Sequence, residues 1–242
     1  MLNVVITGGT GLIGKNLRNN LTFTKDNYNV ILIDKNDYDN DIILDNKIKN
    51  ANFIIHLAAI CRDLDQDYLY KHNIFLTQQL ISSLNRVSSK AHIIFASSTH
   101  EKENTAYGKS KYDSRKLLID WSNLNETNFH GLIIPNTFGP FGKPFHNSVI
   151  STFCYQLTHQ ENCTVNGSSY LKFIYVDDLV NKIVEIIEDF PKDFIASSIN
   201  SSEAGDVWFK MYLSAPNLRN NLISSMLVIP PPIATGSCEF FI

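Results

Sequence analysis

The chain has 242 residues, 44% of them hydrophobic, enough to bury on the order of 70% of the surface that its unfolded form exposes. A net charge of −3, with 19% charged residues and no basic run, excludes the electrostatic footprint of a nucleic-acid or anionic-membrane binder. No run of about 18 apolar residues is present to span a bilayer, so one globular unit with a minor lobe is expected.

The first residues, MLNVVITGG, enter a strand-like run directly instead of a basic segment and a cleavage site, and a cytoplasmic protein is expected. Apolar runs bounded by turn residues follow at 2–6, 29–34, 53–59, 92–97 and 131–136. Helix-like stretches separate them, most clearly at 66–87 and 105–124. Beyond the fifth run come a helix-like stretch at about 147–160, a strand LKFIYV at 171–176 and a helix from Asp177 to about Glu188. Near-continuous β-branched strands alternating with helices predict a doubly wound α/β fold, its parallel sheet covered on both faces. The last forty residues have weak periodicity and a Pro230-Pro231-Pro232 run that supports neither helix nor central strand. Cys61, Cys154, Cys163 and Cys238 form no CxxC pair, so reduced, semi-buried side chains are expected, with neither a disulfide framework nor a bound metal.

The stretch VVITGGTGLIGKNL leaves a strand and opens a helix, the setting in which a glycine-rich turn carries meaning. Gly8 permits the tight turn, Gly11 lets backbone amides approach a pyrophosphate, and Gly14 lets the helix pack against the strand. The helix N-terminus adds unpaired N–H groups and partial positive charge. Asp34 lies 20 residues beyond Gly14 at a strand end, where a carboxylate can accept both ribose hydroxyls of an adenosine half. Such a carboxylate disfavours a 2′-phosphate, whereas the adjacent Lys35 can neutralise one; NADH and NADPH both stay open.

Tyr107 and Lys111 stand four positions apart in a predicted helix and therefore share a face. An ammonium beside a phenol favours phenolate, so the pair is a candidate proton-delivery device.

Six stretches occur in order: Thr7-Gly8-Gly9-Thr10-Gly11-Leu12-Ile13-Gly14, His56-Leu57-Ala58-Ala59, Ser97-Ser98, Tyr107-Gly108-Lys109-Ser110-Lys111, Pro135-Asn136-Thr137-Phe138-Gly139-Pro140 and Tyr175-Val176-Asp177-Asp178. Together they resemble the extended short-chain dehydrogenase/reductases, mostly nucleotide-sugar epimerases, dehydratases and reductases, over roughly the first 190 residues. The resemblance implies a Rossmann domain at 1–135, a small substrate-binding lobe at 136–190 and a poorly matched tail at 191–242. It makes Tyr107 the catalytic acid, Lys111 its electrostatic partner and ribose ligand, and Ser98 the hydroxyl that orients the substrate carbonyl, with Ser97 and Thr99 as competitors. Cofactor contacts are implied at Gly8, Gly11, Leu12, Ile13, Gly14, Asp34, Lys35, Leu57, Ala58, Ala59, Asn73, Tyr107, Lys111 and Pro135. Substrate contacts are implied at Arg62, Thr99, Asn136 and Asn147. His56 reads as a packing residue, and Asp177 and Asp178 as charges at a helix N-terminus.

Tyr107 follows Ser98 by only nine positions, where most extended members carry a longer loop. With AICRD, PNTFGPFGKPFHNSVISTFCYQL and FIYVDD, this looks like the reductase half of the capsular-polysaccharide UDP-sugar 4-ketoreductases, in which a cupin domain follows. The terminal GSCEFFI resembles the first cupin strand, implying a chain that stops where that domain begins. Departures are Ile133 and Leu171, where the family usually has arginines, the second with Lys172 beside it. The implied reaction is reduction of the C4 ketone of a UDP-4-keto-6-deoxy-N-acetylhexosamine. Thr99-His100 in place of an acid pair disfavours dehydration, while a 4-epimerase with retained NAD and a non-catalytic NAD(P)-binding regulator remain alternatives. The resemblance also implies a homodimer through the Tyr107 helix, with Leu117, Leu118 and Trp121 available to it.

Overall fold

The computed structural model describes residues 1–23, 27–146, 148–163, 171–189 and 207–208. Asn147, Cys238, the GSCEFFI segment and nearly all of the expected tail lie outside the described residues.

Strands β1 (Leu2–Thr7), β2 (Tyr28–Ile33), β3 (Phe53–His56), β4 (His92–Ser98) and β5 (Phe129–Ile134) form the sheet with a two-residue strand, Val207–Trp208, at one edge. The order is β2-β1-β3-β4-β5 and then the edge strand, every pairing parallel. Parallel neighbours need crossovers, and helices α1 (Leu12–Phe23), α2 (Asp41–Ile48), α3 (Gln66–Arg86) and α4 (Ala106–Asn125) supply them. Successive strand residues feed opposite layers. Val4, Ile6, Phe53, Ile55 and Ile94 pack against α1, whereas Val5, Ile54, Ile93 and Phe95 pack against α2, α3 and α4. This two-sided burial is why the strands read as unbroken apolar runs rather than alternating ones. The doubly wound α/β architecture is therefore as the sequence predicts.

Two differences follow from tertiary packing. The third strand ends at His56, not residue 59: the Leu57 N–H is shared between the Thr7 carbonyl at 3.3 Å and its hydroxyl at 3.1 Å, and the Ala58 N–H turns to that hydroxyl at 3.1 Å. Helix α2 and the 3-10 turn before it, Lys35–Asp39, have too weak an apolar period to be legible; Asn40 caps the helix by accepting the Ile43 N–H at 3.2 Å.

Beyond β5, the short strands β6 (Asn136–Phe138) and β7 (Phe173–Tyr175) pair in parallel, flanked by helices α5 (Val149–Thr158) and α6 (Val176–Glu188). The sequence places α6 in the second lobe. Instead Val176, Leu179, Val180, Ile183, Val184 and Ile187 join Val4, Ile6 and Leu17 in the core on the α1 face of the sheet. Asp177 and Asp178 occupy the first turn of α6, where the helix dipole favours negative charge.

Two further expectations are corrected. Leu118 and Trp121 are 0% and 4% exposed within the single chain, so of the three proposed dimer-face residues only Leu117 is not enclosed by the core. Cys61, Cys154 and Cys163 are exposed rather than semi-buried, since each lies on a loop rim or on α5, none of whose described residues is buried. No helix among the described residues is long and apolar enough to cross a membrane.

Candidate active site

The strand order reverses between β1 and β3, and ligands of such sheets bind at the carboxyl ends of the strands beside that switch point. There Gly8 turns the chain with φ +69°, and a Cβ on it would stand 2.8 Å from the Ala58 nitrogen. Gly14 abuts the Gly8 carbonyl so closely that no side chain fits. Helix α1 thus begins against the turn, with Gly11 exposed and Leu12 and Ile13 partly exposed at its first residues. Leu57, Ala58 and Ala59 line the facing strand end, partly exposed. At the end of β2, Asp34 and Lys35 are both exposed, and the Asp34 N–H donates to Asp37 at 2.6 Å, fixing the bend. A backbone cradle at a helix N-terminus with a carboxylate one strand away fits a dinucleotide.

Thr7 and His56 join the two strand ends. The Thr7 hydroxyl and His56 Nδ1 are 2.8 Å apart, and His56 Nε2 lies 3.3 Å from the Thr77 hydroxyl of α3. Burial, reinforced by the Lys111 charge, pushes His56 down to about 3, so it stays neutral and structural, in line with its reading as a packing residue.

The second half of the site lies at the end of β4. Thr105 caps α4 by accepting the Gly108 N–H at 3.0 Å, which fixes Tyr107 in the first helical turn. Gly108 lacks a side chain where the His100 carbonyl presses against the helix, and this contact lets the nine-position connection close. Tyr107 is half-buried, with Ser98 and Cys61 close enough to influence its hydroxyl. Burial comes first among the causes that raise its phenol well above the ordinary value; Cys61 adds to the rise and Ser98 opposes it. Lys111, 4% exposed, donates to the Ala96 carbonyl at 2.8 Å, with its Nζ 5.0 Å from the Phe95 ring centre and 5.9 Å from that of Tyr107. Burial lowers it to about 8, against the raising influence of Cys61 and Glu101.

Of the three candidate hydroxyls, Ser98 is the one near enough to Tyr107 to favour its ionised form. Ser97 points the other way and donates to Glu101, while Thr99 is exposed at the start of a 3-10 turn, Thr99–Lys102. Glu101 is held in turn by Arg115 of α4, through contacts of 2.8 to 3.2 Å. This nearly buried ion pair ties the loop after Ser98 to the helix that carries Tyr107. Ile133, one of the departures from the family pattern, lines a recess of about 220 Å³ with Ser98, Thr99, Glu101, Tyr112 and Arg115.

Asn73 is not an open cofactor ligand. It is 3% exposed, accepts the Ile60 N–H at 2.8 Å, and donates to the Ile60 carbonyl and the Ser110 hydroxyl, both at 3.0 Å. It therefore positions the 57–61 loop against α4. Pro135 is partly exposed just past β5, and Asn136 stands in β6, paired with Phe173, instead of in a loop. Arg62 is exposed beside Cys61 at the crevice rim. Sequence reasoning missed Cys61, Glu101 and Arg115. Their only signals are a position just past HLAA for the first, and charges flanking the Ser98–Tyr107 connection for the others.

This combination of doubly wound sheet and glycine cradle, with a serine, a tyrosine and a buried lysine gathered at the end of β4, is that of a dinucleotide-binding fold. Residues 4–196 match the model of the NAD dependent epimerase/dehydratase family, and the chain belongs to that family. It is 24% identical over 188 residues to a UDP-2-acetamido-2,6-beta-L-arabino-hexul-4-ose reductase of Pseudomonas aeruginosa, covering 77% of this chain and 50% of that protein. The crystal structure of the capsular polysaccharide assembling protein CapF from Staphylococcus aureus superposes with a TM-score of 0.65 at 30% identity, over 82% of this chain and 52% of that one. The chain thus spans about half the length of these relatives. The UDP-glucose 4-epimerase of Thermotoga maritima, solved with UDP-glucose, shares the fold at 20% identity, with a TM-score of 0.68 over 77% of this chain and 74% of that one.

Proposed function

We propose that this protein reduces the C4 ketone of a UDP-linked 4-keto-6-deoxy-N-acetylhexosamine with NADPH or NADH. The observation that carries the reading is the convergence of the Ser98 hydroxyl and the buried Lys111 on the Tyr107 phenol at the strand-end crevice. The similarity to a UDP-sugar 4-ketoreductase supplies the substrate class.

A bound nicotinamide supplies hydride to the carbonyl carbon, and the chain's own residues manage the oxygen. Tyr107 gives its phenolic proton to the carbonyl oxygen as negative charge develops there, and Ser98 donates a hydrogen bond to the same oxygen. Lys111, cationic below about 8, stabilises the phenolate that remains. Gly8, Gly11, Gly14 and the first residues of α1 would hold the pyrophosphate, and Asp34 would hold the adenosine ribose. Residues 1–135 with α6 form the cofactor-binding body, while Arg62, Thr99 and Asn136 line the sugar side.

The test is a spectrophotometric assay of NADPH and NADH oxidation with the 4-keto sugar nucleotide, the product's C4 configuration being read by NMR. Stoichiometric cofactor oxidation is expected. Interconversion of C4 epimers with no net oxidation identifies an epimerase, and no turnover beside measurable cofactor binding identifies a non-catalytic binder.

A further inference from the structure

We propose that Glu101 and Arg115 are positioning residues for the Ser98 hydroxyl: their ion pair sets the 3-10 turn after β4 so that its His100 N–H holds Ser98 with the hydroxyl proton left for a substrate oxygen. The inference rests on the reductase reading for its kinetic consequence but not for its geometry.

Ser98 closes β4 and opens the Thr99–Lys102 turn, where its Oγ accepts the His100 N–H at 3.2 Å. A serine hydroxyl has one proton to give and two lone pairs with which to accept. With a backbone N–H on one lone pair, the proton remains available to an oxygen on which negative charge develops. The turn therefore orients the hydroxyl, and whatever fixes the turn fixes Ser98.

Three contacts fix it. Glu101, the residue after His100, accepts from Arg115 Nε at 2.9 and 3.2 Å and from Arg115 Nη2 at 2.8 Å, a two-nitrogen grip that a planar guanidinium provides and an ammonium does not. The same carboxylate accepts the Ser97 hydroxyl, so it reaches the strand residue before Ser98 as well as the helix that carries Tyr107 and Lys111. On the other side of the turn the His100 carbonyl accepts the Glu103 N–H at 2.9 Å and abuts Gly108 so closely that no side chain fits there. The side chains of Arg115 and Glu101 are 15% and 7% exposed, and a pair this enclosed is screened little by salt. One carboxylate thus joins the end of β4, the turn and α4, the three pieces of chain on which the Ser98 direction depends.

Amide hydrogen exchange followed by NMR reads the geometry without turnover. Arg115→Ala, and the double variant Glu101→Ala/Arg115→Ala, which strands no charge, should both speed exchange at His100 by about tenfold or more, while the amides of β1 and α1 exchange as in wild type. Arg115→Lys keeps a cation against the carboxylate without the two-nitrogen grip and should give a smaller change of the same sign. In turnover, Ser98→Ala should lower kcat by about 10²- to 10³-fold and Arg115→Ala by about tenfold, with cofactor affinity unchanged in each. On the Ser98→Ala background, Arg115→Ala should cost less than about twofold more, because the residue it positions is already gone. His100 exchange that none of the three Arg115 variants changes, or kcat losses of Ser98→Ala and Arg115→Ala that simply multiply, overturn the proposal. A wild type that turns over no 4-keto sugar nucleotide overturns the reductase reading instead, and the exchange rates alone then judge the pair.

Discussion

The two ends of the crevice are built from different materials. At β1, the cofactor cradle is backbone: a glycine at φ +69°, a helix N-terminus and a close approach between Gly14 and Gly8. At β4, the proposed chemistry rests on side chains, Ser98, Tyr107 and Lys111, in a setting fixed by Asn73, Ser110 and the Glu101–Arg115 pair. Backbone geometry tolerates almost no substitution but needs few residues. A side-chain network accepts many chemistries but fails wherever one buried partner is lost.

Replacing Tyr107 by Phe separates the two ends most sharply. The cradle is untouched, so cofactor affinity measured by fluorescence titration should stay within twofold, while kcat falls ~10²- to 10⁴-fold. Gly8→Ala breaks the other end, since left-handed backbone costs a side chain about 1–2 kcal/mol before the clash with Ala58 is counted. Its expected signature is at least tenfold weaker cofactor binding and a lower Tm, and unchanged affinity would show that the turn does not hold the dinucleotide. Asn73→Ala should lower stability by about 1–3 kcal/mol in urea melts, by stranding the Ile60 groups and the Ser110 hydroxyl. Turnover should fall more than cofactor affinity, because Asn73 also anchors Ser110, whose hydroxyl bonds the Tyr107 carbonyl.

The last effect is graded with pH and touches neither end of the crevice selectively. His56 and His92 are pushed down to about 3 by burial, and burial also lowers His130, whose ring stacks on His92 at 4.7 Å with nitrogens 2.6 Å apart. In the unfolded chain they take up protons near the ordinary value of about 6.5. The folded state binds fewer protons than the unfolded one below that pH, so stability is complete above about 6.5 and declines as pH falls toward 3. The slope is about 1.4 kcal/mol per unit for each histidine kept neutral. Urea midpoints that stay flat between about pH 6.5 and pH 4 would contradict the burial of these rings.

Glycine spacing, strand periodicity and the Tyr107-Lys111 interval are local properties, and the sequence by itself determined them: a doubly wound sheet, a glycine turn between its first strand and first helix, and a tyrosine and a lysine four positions apart on the helix-like stretch at 105–124. What a side chain faces is not local. Only the folded chain turned Ser97 to Glu101 and Ser98 to Tyr107, closed Asn73 over Ile60 instead of leaving it to a ligand, drew α6 into the core, and buried Leu118 and Trp121. The alternation of a strand makes adjacent serines equivalent in composition and opposite in direction, and register across the sheet, which sets the direction, is a property of pairs of strands distant in sequence.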